Sequence, residues 1–270
     1  ASSPVRWAEM YNEVTQDPVL RGRYQFWFFQ YNTGQPVLYS AMLLRRALRS
    51  VLSEVDPMGE DDALRRMIVV GHSQGGLLTK LLTINSGNRF WENVTKEPFA
   101  KIEMAAETRA LLQEAMFFEP VPTVERVVFI ATPHRGSFRA SGLALNLIRR
   151  IVTLPGTLVS QFQGLLKSQT FAHLGMSQLP TSVDNMSPGH PFIRAMNESP
   201  IDPRITAHSI IAVLGEGPIT GKTDGVVAYE SAHIEGVASE KVVRSPHSTQ
   251  SHPETIEEVR RILTEHLKQQ

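Results

Sequence analysis

The stretch "RRMIVVGHSQGGLLTKLL", residues 65–82, places an apolar run, a serine between two glycines and a second apolar run in direct succession. The first run, "MIVV", is short and rich in β-branched residues, which is typical of a buried strand. The second run, "LLTKLL", is compatible with a helix. This stretch therefore predicts a strand, a sharp turn and a helix, with Ser73 at the turn.

The predicted turn has the properties that a nucleophilic serine needs. Gly71 and Gly75 flank Ser73 and are expected to relieve crowding where the turn is tightest. A strained bend projects the serine hydroxyl out of the end of the sheet. Backbone N–H groups at the N-terminus of the following helix lack acceptors, so the Gln74 amide is expected to stabilise an oxyanion. The alternative is a structural turn with an incidental serine.

The rest of the chain alternates short apolar runs with longer helical patterns, which is typical of a mostly parallel sheet covered by helices on both faces. The fold class is therefore predicted to be α/β. The strands are expected at 24–31, 67–71, 124–131, 206–214 and 241–244. Amphipathic helices are expected at 36–56 and, with Pro253 in the first turn, at 251–270.

Composition excludes several functional classes. The 270 residues carry 27 Lys and Arg against 27 Asp and Glu, so no overall field favours nucleic acid or an anionic membrane surface. There is no cysteine, hence no disulfide, thiol nucleophile or thiolate metal site. No apolar run approaches the roughly 20 residues that span a bilayer, and any signal peptide is expected outside this sequence. We expect no cofactor and no metal.

A serine hydroxyl is a poor nucleophile near neutral pH, so a histidine base and an orienting carboxylate are required. In α/β folds with a serine turn, the acid and then the base follow the serine along the chain. Asp224, in "GKTDGVVAYESAH", follows the predicted strand at 206–214 and is the favoured acid, because open α/β sheets gather their sites at the carboxyl ends of strands. Glu216 and Glu230 remain alternatives.

Two histidines compete for the role of base in "VVRSPHSTQSHPETIEE". His247 directly follows the last predicted strand and is favoured, whereas His252 lies at the start of the last helix, where it is expected to cap, pack or face solvent. His134, in "ATPHRGS", is expected to line the pocket. His72 is expected to pack beneath the turn.

Four motifs in this order, "VVGHSQGG", "VFIATPHRGS", "TDGVVAYESAH" and "SPHSTQSHPETIEEVRRIL", resemble those of α/β-hydrolase lipases and esterases over most of the chain. The segment "YQFWFFQYNTGQPVLYSAMLLRRAL" resembles bacterial members. The resemblance implies a triad of Ser73, Asp224 and His247 that hydrolyses lipid or other hydrophobic esters through an acyl-enzyme, with Gln74 supplying one oxyanion amide. Acyl transfer or amide hydrolysis on the same triad, or a catalytically silent binding module, are the alternatives.

One departure from this family concerns the N-terminus. Such hydrolases have a strand ending in His-Gly before the first helix, and its loop gives the second oxyanion amide. This chain has none, and "PVRWAEMYNEV" is already the first predicted helix. Because the absent strand would lie between those at 24–31 and 67–71, we expect a companion N-terminal segment to supply it.

The segment 138–200 is longer than an ordinary connection between strands. From 151 to 191 its only formal charges are Lys167 and Asp184. Apolar sequence with few charges predicts a helical lid over an acyl pocket, with transient contact to a lipid surface, or a subdomain packed permanently on the core. The chain is thus expected to form one hydrolase domain, 1–270, incomplete at its N-terminus and carrying this insertion.

Overall fold

The computed structural model describes residues 4–137 and 185–269. Within them, four parallel strands form one sheet in the order β1, β2, β3, β4. They are β1 (Met67–His72), β2 (Val124–Ile130), β3 (Thr206–Val213) and β4 (Ser239–Arg244). The predicted α/β class is confirmed, and four predicted strands lie within two residues of their expected ends.

Helices connect the strands and cover the sheet. In the described residues they are α1 (Ala8–Gln16), α2 (Pro18–Arg23), α3 (Val37–Val55), α4 (Gln74–Lys80), α5 (Arg89–Glu92), α6 (Ala106–Met116), α7 (Pro191–Glu198), α8 (Tyr229–Ala232) and α9 (Pro253–Lys268). Short 3₁₀ turns lie at Pro4–Trp7, Phe99–Lys101 and Thr249–Ser251. Parallel strands require such crossovers, because the chain must return to the same end of the sheet before each new strand begins.

The hydrophobic core is divided between the two faces of the sheet. Alternate side chains of β2 point to opposite sides, so Val127 and Phe129 join one buried cluster while Val128 and Ile130 join the other. The second cluster includes the predicted apolar face of α9, formed by Ile256, Val259, Ile262 and Leu263. This packing fixes the loop that precedes α9 against the carboxyl end of the sheet.

The prediction of a strand at 24–31 is wrong. This segment forms no regular secondary structure, although four of its six aromatic side chains pack with the two core clusters. Tyr24 and Phe26 pack with one cluster, and Phe29 and Tyr31 with the other. A strand needs hydrogen bonds to a neighbouring backbone, and no described strand pairs with this segment.

Most of the predicted insertion, residues 138–184, lies outside the described residues. Its described end carries α7, whose Phe192, Ile193 and Met196 are buried against the main core. None of the described helices is long and apolar enough to cross a membrane.

Candidate active site

Ser73 occupies a sharp turn between β1 and α4. Its backbone has φ 54° and ψ −125°, and Ala131 is the other non-glycine residue with positive φ in the described residues. The Ser73 N–H donates to the Ile130 carbonyl at 2.8 Å, which holds the turn against the end of β2. Positive φ is costly for a residue with a Cβ, so the surrounding structure maintains strain at this serine.

The glycines around Ser73 differ in what they permit. A Cβ at Gly71 would lie 2.6 Å from the Gly75 carbonyl oxygen, so the prediction of crowding at Gly71 is confirmed. The prediction for Gly75 is wrong, because a Cβ there would have only the Tyr31 hydroxyl nearby, at 3.9 Å. The second tight position is Gly76, where a Cβ would overlap the Thr132 side chain. The turn therefore packs closely against both β1 and the residues that follow β2.

The three predicted triad side chains form one hydrogen-bonded chain. The Ser73 hydroxyl lies 2.8 Å from Nε2 of His247, and Nδ1 of His247 lies 2.7 Å from Oδ2 of Asp224. These residues come from three loops, which follow β1, β3 and β4, and they meet because the carboxyl ends of parallel strands share one edge. An ionised Asp224 can only accept, so Nδ1 of His247 carries the proton and Nε2 is left to accept from the serine.

Asp224 is held in place by its own loop. Its side chain is 1% exposed, and its Oδ1 accepts from the backbone N–H groups of Val226 at 2.8 Å and Val227 at 2.7 Å. The two alternative carboxylates lie elsewhere. Glu216 is exposed, and Glu230 accepts from the Gly221 N–H at 2.6 Å, a hydrogen bond that lowers the pKa of Glu230.

His252 is not part of this cluster. It precedes α9 as the N-terminal capping residue, and its Nδ1 accepts from the Glu254 N–H at 3.3 Å. This placement agrees with the expected capping role. His247, five residues earlier, has its side chain 19% exposed, so the base is accessible from outside.

His72 makes a contact that sequence reasoning missed. Its Nε2 lies 2.8 Å from the backbone carbonyl oxygen of His247, and the two rings are 5.0 Å apart. Burial lowers the pKa of His72 to about 4. The sequence offered only one weak signal for this contact, namely that a histidine adjoining Ser73 at the carboxyl end of β1 must lie close to whatever meets the serine.

His134 is buried directly after β2. Its ring packs edge-on against Phe129 with 4.7 Å between centroids, and neither ring nitrogen has a hydrogen-bond partner among the described residues. Burial, with nearby Lys80, holds the pKa of His134 well below its usual range, so the ring is neutral. Its expected place in the wall of a pocket stays a prediction.

Two further features bear on the chemistry. The Gln74 N–H belongs to the first turn of α4, where backbone donors have no acceptor within the helix, and it adjoins the serine. Across the described ranges, 4–137 and 185–269, no group of three or more His, Asp or Glu side chains is placed to hold a metal ion.

No family model matches the chain, and no curated protein matches it by sequence. Solved structures do match its fold. The mature form of the Bacillus licheniformis lipase BlEst2 gives a TM-score of 0.54 at 15% identity, over 97% of this chain and 87% of that chain. The propeptide form of the same lipase gives 0.54 at 15% identity, over 96% of this chain and 47% of that chain. The chain therefore has a fold of the α/β-hydrolase type, as its motifs predicted.

Proposed function

We propose that the protein is a serine hydrolase that cleaves carboxylic esters, with Ser73 as nucleophile, His247 as base and Asp224 as the orienting acid. The observation that carries the proposal is the continuous chain from the Ser73 hydroxyl through His247 to Asp224, with distances of 2.8 and 2.7 Å. Nucleophile, base and orienting carboxylate within hydrogen-bond reach are the arrangement that activates a serine. The lipase fold of the structural neighbours adds support to it.

In the first half of the reaction, the Ser73 oxygen attacks the ester carbonyl carbon while Nε2 of His247 takes the hydroxyl proton. The carbonyl oxygen becomes an oxyanion and accepts from the Gln74 N–H. Asp224 stabilises the imidazolium without taking its proton. As the tetrahedral intermediate collapses, the bond to the alcohol oxygen breaks, and His247 delivers its proton to the departing alcohol.

In the second half, water replaces the alcohol. His247 takes one proton from the water as the water oxygen attacks the acyl carbon of the acyl-enzyme. The bond to the Ser73 oxygen then breaks, His247 returns the proton to that oxygen, and the carboxylic acid leaves. Each proton therefore moves through a single ring nitrogen, Nε2, which is why the tautomer fixed by Asp224 matters.

The surroundings of Asp224 support a hydrophobic substrate. Val226, whose backbone N–H donates to Asp224, is 39% exposed, and Leu214 at the end of β3 is 44% exposed. Exposed apolar side chains beside a polar cluster are typical of a site that receives an apolar group or a covering element. We propose that the insertion at 138–200 forms that cover and contacts the acyl chain and, transiently, a lipid surface.

We further propose that a companion strand from an N-terminal segment pairs with the outer edge of β1 and brings the second oxyanion amide. The apolar side chains Ile68, Val69 and Val70 remain half-buried although the interior strands β2 and β3 are almost wholly buried. The opposite edge strand, β4, has the sequence "SEKVVR", and charged residues of this kind protect a true edge from further pairing. The uncharged β1 lacks such protection.

The companion segment has a direct test. Intact mass spectrometry of the active protein purified from its natural source is expected to show a second peptide, or a longer chain, that carries this strand. Full ester hydrolysis by the 270-residue chain alone would contradict the proposal, since loss of one oxyanion donor typically lowers kcat about 10²- to 10³-fold.

The proposed activity is tested with a panel of aryl esters of increasing acyl length, assayed with added alcohol acceptors. We expect hydrolysis by the unaltered protein, better kcat/KM for longer acyl chains, and a loss of several orders of magnitude in Ser73→Ala. Transfer to the alcohol in preference to water would reassign the protein to the acyltransferases. A folded Ser73→Ala variant that keeps more than about a tenth of the activity would reject Ser73 as nucleophile.

A further inference from the structure

The backbone around His247 is held at both polar atoms. The His247 N–H donates to the Asp224 carbonyl oxygen at 3.0 Å, and the His247 carbonyl oxygen accepts from the Thr249 N–H at 2.9 Å. The same carbonyl oxygen accepts a second hydrogen bond, from Nε2 of His72 at 2.8 Å. Of these three contacts, only the one from His72 comes from a side chain and from the segment that bears Ser73.

The chemistry of this contact fixes the state of His72. A carbonyl oxygen can only accept, so Nε2 of His72 carries its proton and donates. His72 is 9% exposed, and burial lowers its pKa to about 4, so the ring stays neutral under ordinary conditions. A neutral ring adds no positive charge beside the imidazolium that forms on His247 during the reaction, while it keeps its donor in place.

We propose that His72 is a positioning residue for the base, and that its Nε2–H holds the His247 backbone at the distance at which the His247 ring meets the Ser73 hydroxyl. Ser73 and His72 are consecutive, so one rigid turn carries the nucleophile and also anchors the loop of its base. Without this contact, the loop between β4 and α9 keeps its other hydrogen bonds, but its backbone is no longer held to the serine turn, and the contact of the His247 ring with the Ser73 hydroxyl has to hold its own geometry. The proposal rests on the proposed function, because it assigns His72 a role in the same triad.

Two substitutions at this position separate the hydrogen bond from simple packing. His72→Gln keeps an N–H donor that can reach the His247 carbonyl, whereas His72→Phe keeps a ring of similar size and removes the donor. The reaction of the full chain with a fluorophosphonate is measured under pseudo-first-order conditions, with the final labelled fraction counting the folded sites. We expect the labelling rate to fall about 10- to 100-fold in His72→Phe, since a small misplacement of a catalytic group has effects of this size.

The conservative variant and a matched control complete the test. His72→Gln is expected to recover to within a few-fold of the unaltered rate, with the labelled fraction near one in both variants. The control is His208→Gln, which changes another buried histidine of the same sheet, on β3 and outside the triad. It is expected to lower the melting temperature and to leave the labelling rate of folded protein unchanged.

Each contrary outcome is distinct. Equal slowing in His72→Phe and His72→Gln, or no slowing in His72→Phe, would overturn the positioning role while leaving the triad intact. A parallel loss of rate in His208→Gln would show that any buried histidine in the sheet has this effect, and would likewise overturn it. If the unaltered protein does not react at all, the proposed function itself is contradicted. The reaction of the unaltered protein therefore distinguishes failure of the proposed function from failure of the positioning role of His72.

Discussion

The sheet carries a hydrogen-bonded cluster that contains histidine at each of its two ends, and the two clusters differ in two respects. At the carboxyl end, the hydrogen bonds run from Asp224 through His247 and stop at the Ser73 hydroxyl, at a residue with positive φ. At the amino end, the buried guanidinium of Arg126 donates to the side chains of His208, Glu265, His266 and Gln269, and all three of its nitrogen atoms have a partner. We call Asp224, His247 and Ser73 the open cluster, because it ends at a strained residue that another molecule can reach. We call Arg126 and its partners the closed cluster, because it has no such end.

The closed cluster, centred on Arg126, links four elements of the fold. Arg126, 1% exposed on β2, donates to Nε2 of His208 at 2.6 Å, to Nδ1 of His266 at 3.3 Å and to Glu265 at 3.0 Å. His208 in turn donates through Nδ1 to the Ser239 hydroxyl at 2.7 Å. These contacts tie β2, β3, β4 and α9 together. Because both ring nitrogens that face Arg126 must accept, His208 and His266 are neutral, and burial lowers the pKa of each.

Burial, histidine content and shifted pKa values therefore do not separate a reactive site from a structural one in this sheet. Each cluster has buried side chains and a histidine, and burial lowers the pKa of His72, next to the open cluster, and of His208, within the closed cluster. What differs is whether the last group in the chain of hydrogen bonds is satisfied, and whether the backbone beneath it is strained. Substitutions in the open cluster are therefore expected to affect activity, and substitutions in the closed cluster are expected to affect stability.

The largest effect is expected from His247→Ala in the open cluster. Removal of the base should lower kcat about 10⁶-fold, as loss of a triad base does, with little change in the melting temperature. His252→Ala, which changes the capping histidine of the same loop, is the matched control and should keep most of the activity. The reverse ranking of the two variants would move the role of base to His252.

Asp224→Asn is expected to lower kcat by about 10⁴-fold. An amide at this position can donate to Nδ1 of His247, which would favour the tautomer that cannot accept the serine proton. Steady-state hydrolysis of a short aryl ester measures the loss. Glu216→Gln, a change in an exposed carboxylate of the same loop, should leave kcat unaltered, and a large loss there would count against Asp224 as the acid.

The open cluster also shows how far sequence reasoning reaches. The strand, turn and helix around Ser73 follow from local pattern. The order of acid and base along the chain, together with their positions after predicted strands, favoured Asp224 and His247, which the structure brings together. Their catalytic roles stay predictions. The contact of His72 with the His247 carbonyl joins atoms 175 residues apart, and no local pattern encodes it.

Non-local pairing explains the errors as well. The short aromatic-rich run at 24–31 predicts a strand, yet pairing depends on a neighbouring backbone that the run itself does not specify. The choice between Gly75 and Gly76 as the tightly packed position depends on Thr132, which follows a different strand. The closed cluster was not predicted either, because an arginine within β2 has the sequence context of an exposed residue.

In the closed cluster, Arg126→Met is expected to lower the free energy of unfolding by about 3 kcal/mol. The substitution leaves acceptor nitrogens of His208 and His266 without their donor in a buried place. Urea unfolding measures this loss. The kcat per folded molecule should stay within about twofold of the unaltered value, which is a smaller change than the tenfold one that corresponds to about 1.4 kcal/mol. A large fall in kcat with unchanged stability would mean that the two ends of the sheet are coupled.

The smallest effect is on the pH dependence of stability. Burial lowers the pKa of His208 from 6.5 to about 4, so between these values the unfolded state binds a proton that the folded state does not. The contribution of neutral His208 to the free energy of unfolding is therefore complete above pH 6.5, and it is lost as the pH drops toward 4. The slope is about 1.4 kcal/mol per pH unit for each such proton. His208→Gln should flatten part of this slope, and an unchanged slope would contradict the neutral state of His208.

Peptide mapping after reaction with a fluorophosphonate shows whether Ser73 is the activated end of the open cluster. We expect one adduct per chain, on the tryptic peptide that contains Ser73, formed quickly in the unaltered protein and about 10⁶-fold more slowly in His247→Ala. Arg126→Met should label at the unaltered rate. No adduct, or an adduct on a serine other than Ser73, would show that Ser73 is not the activated nucleophile.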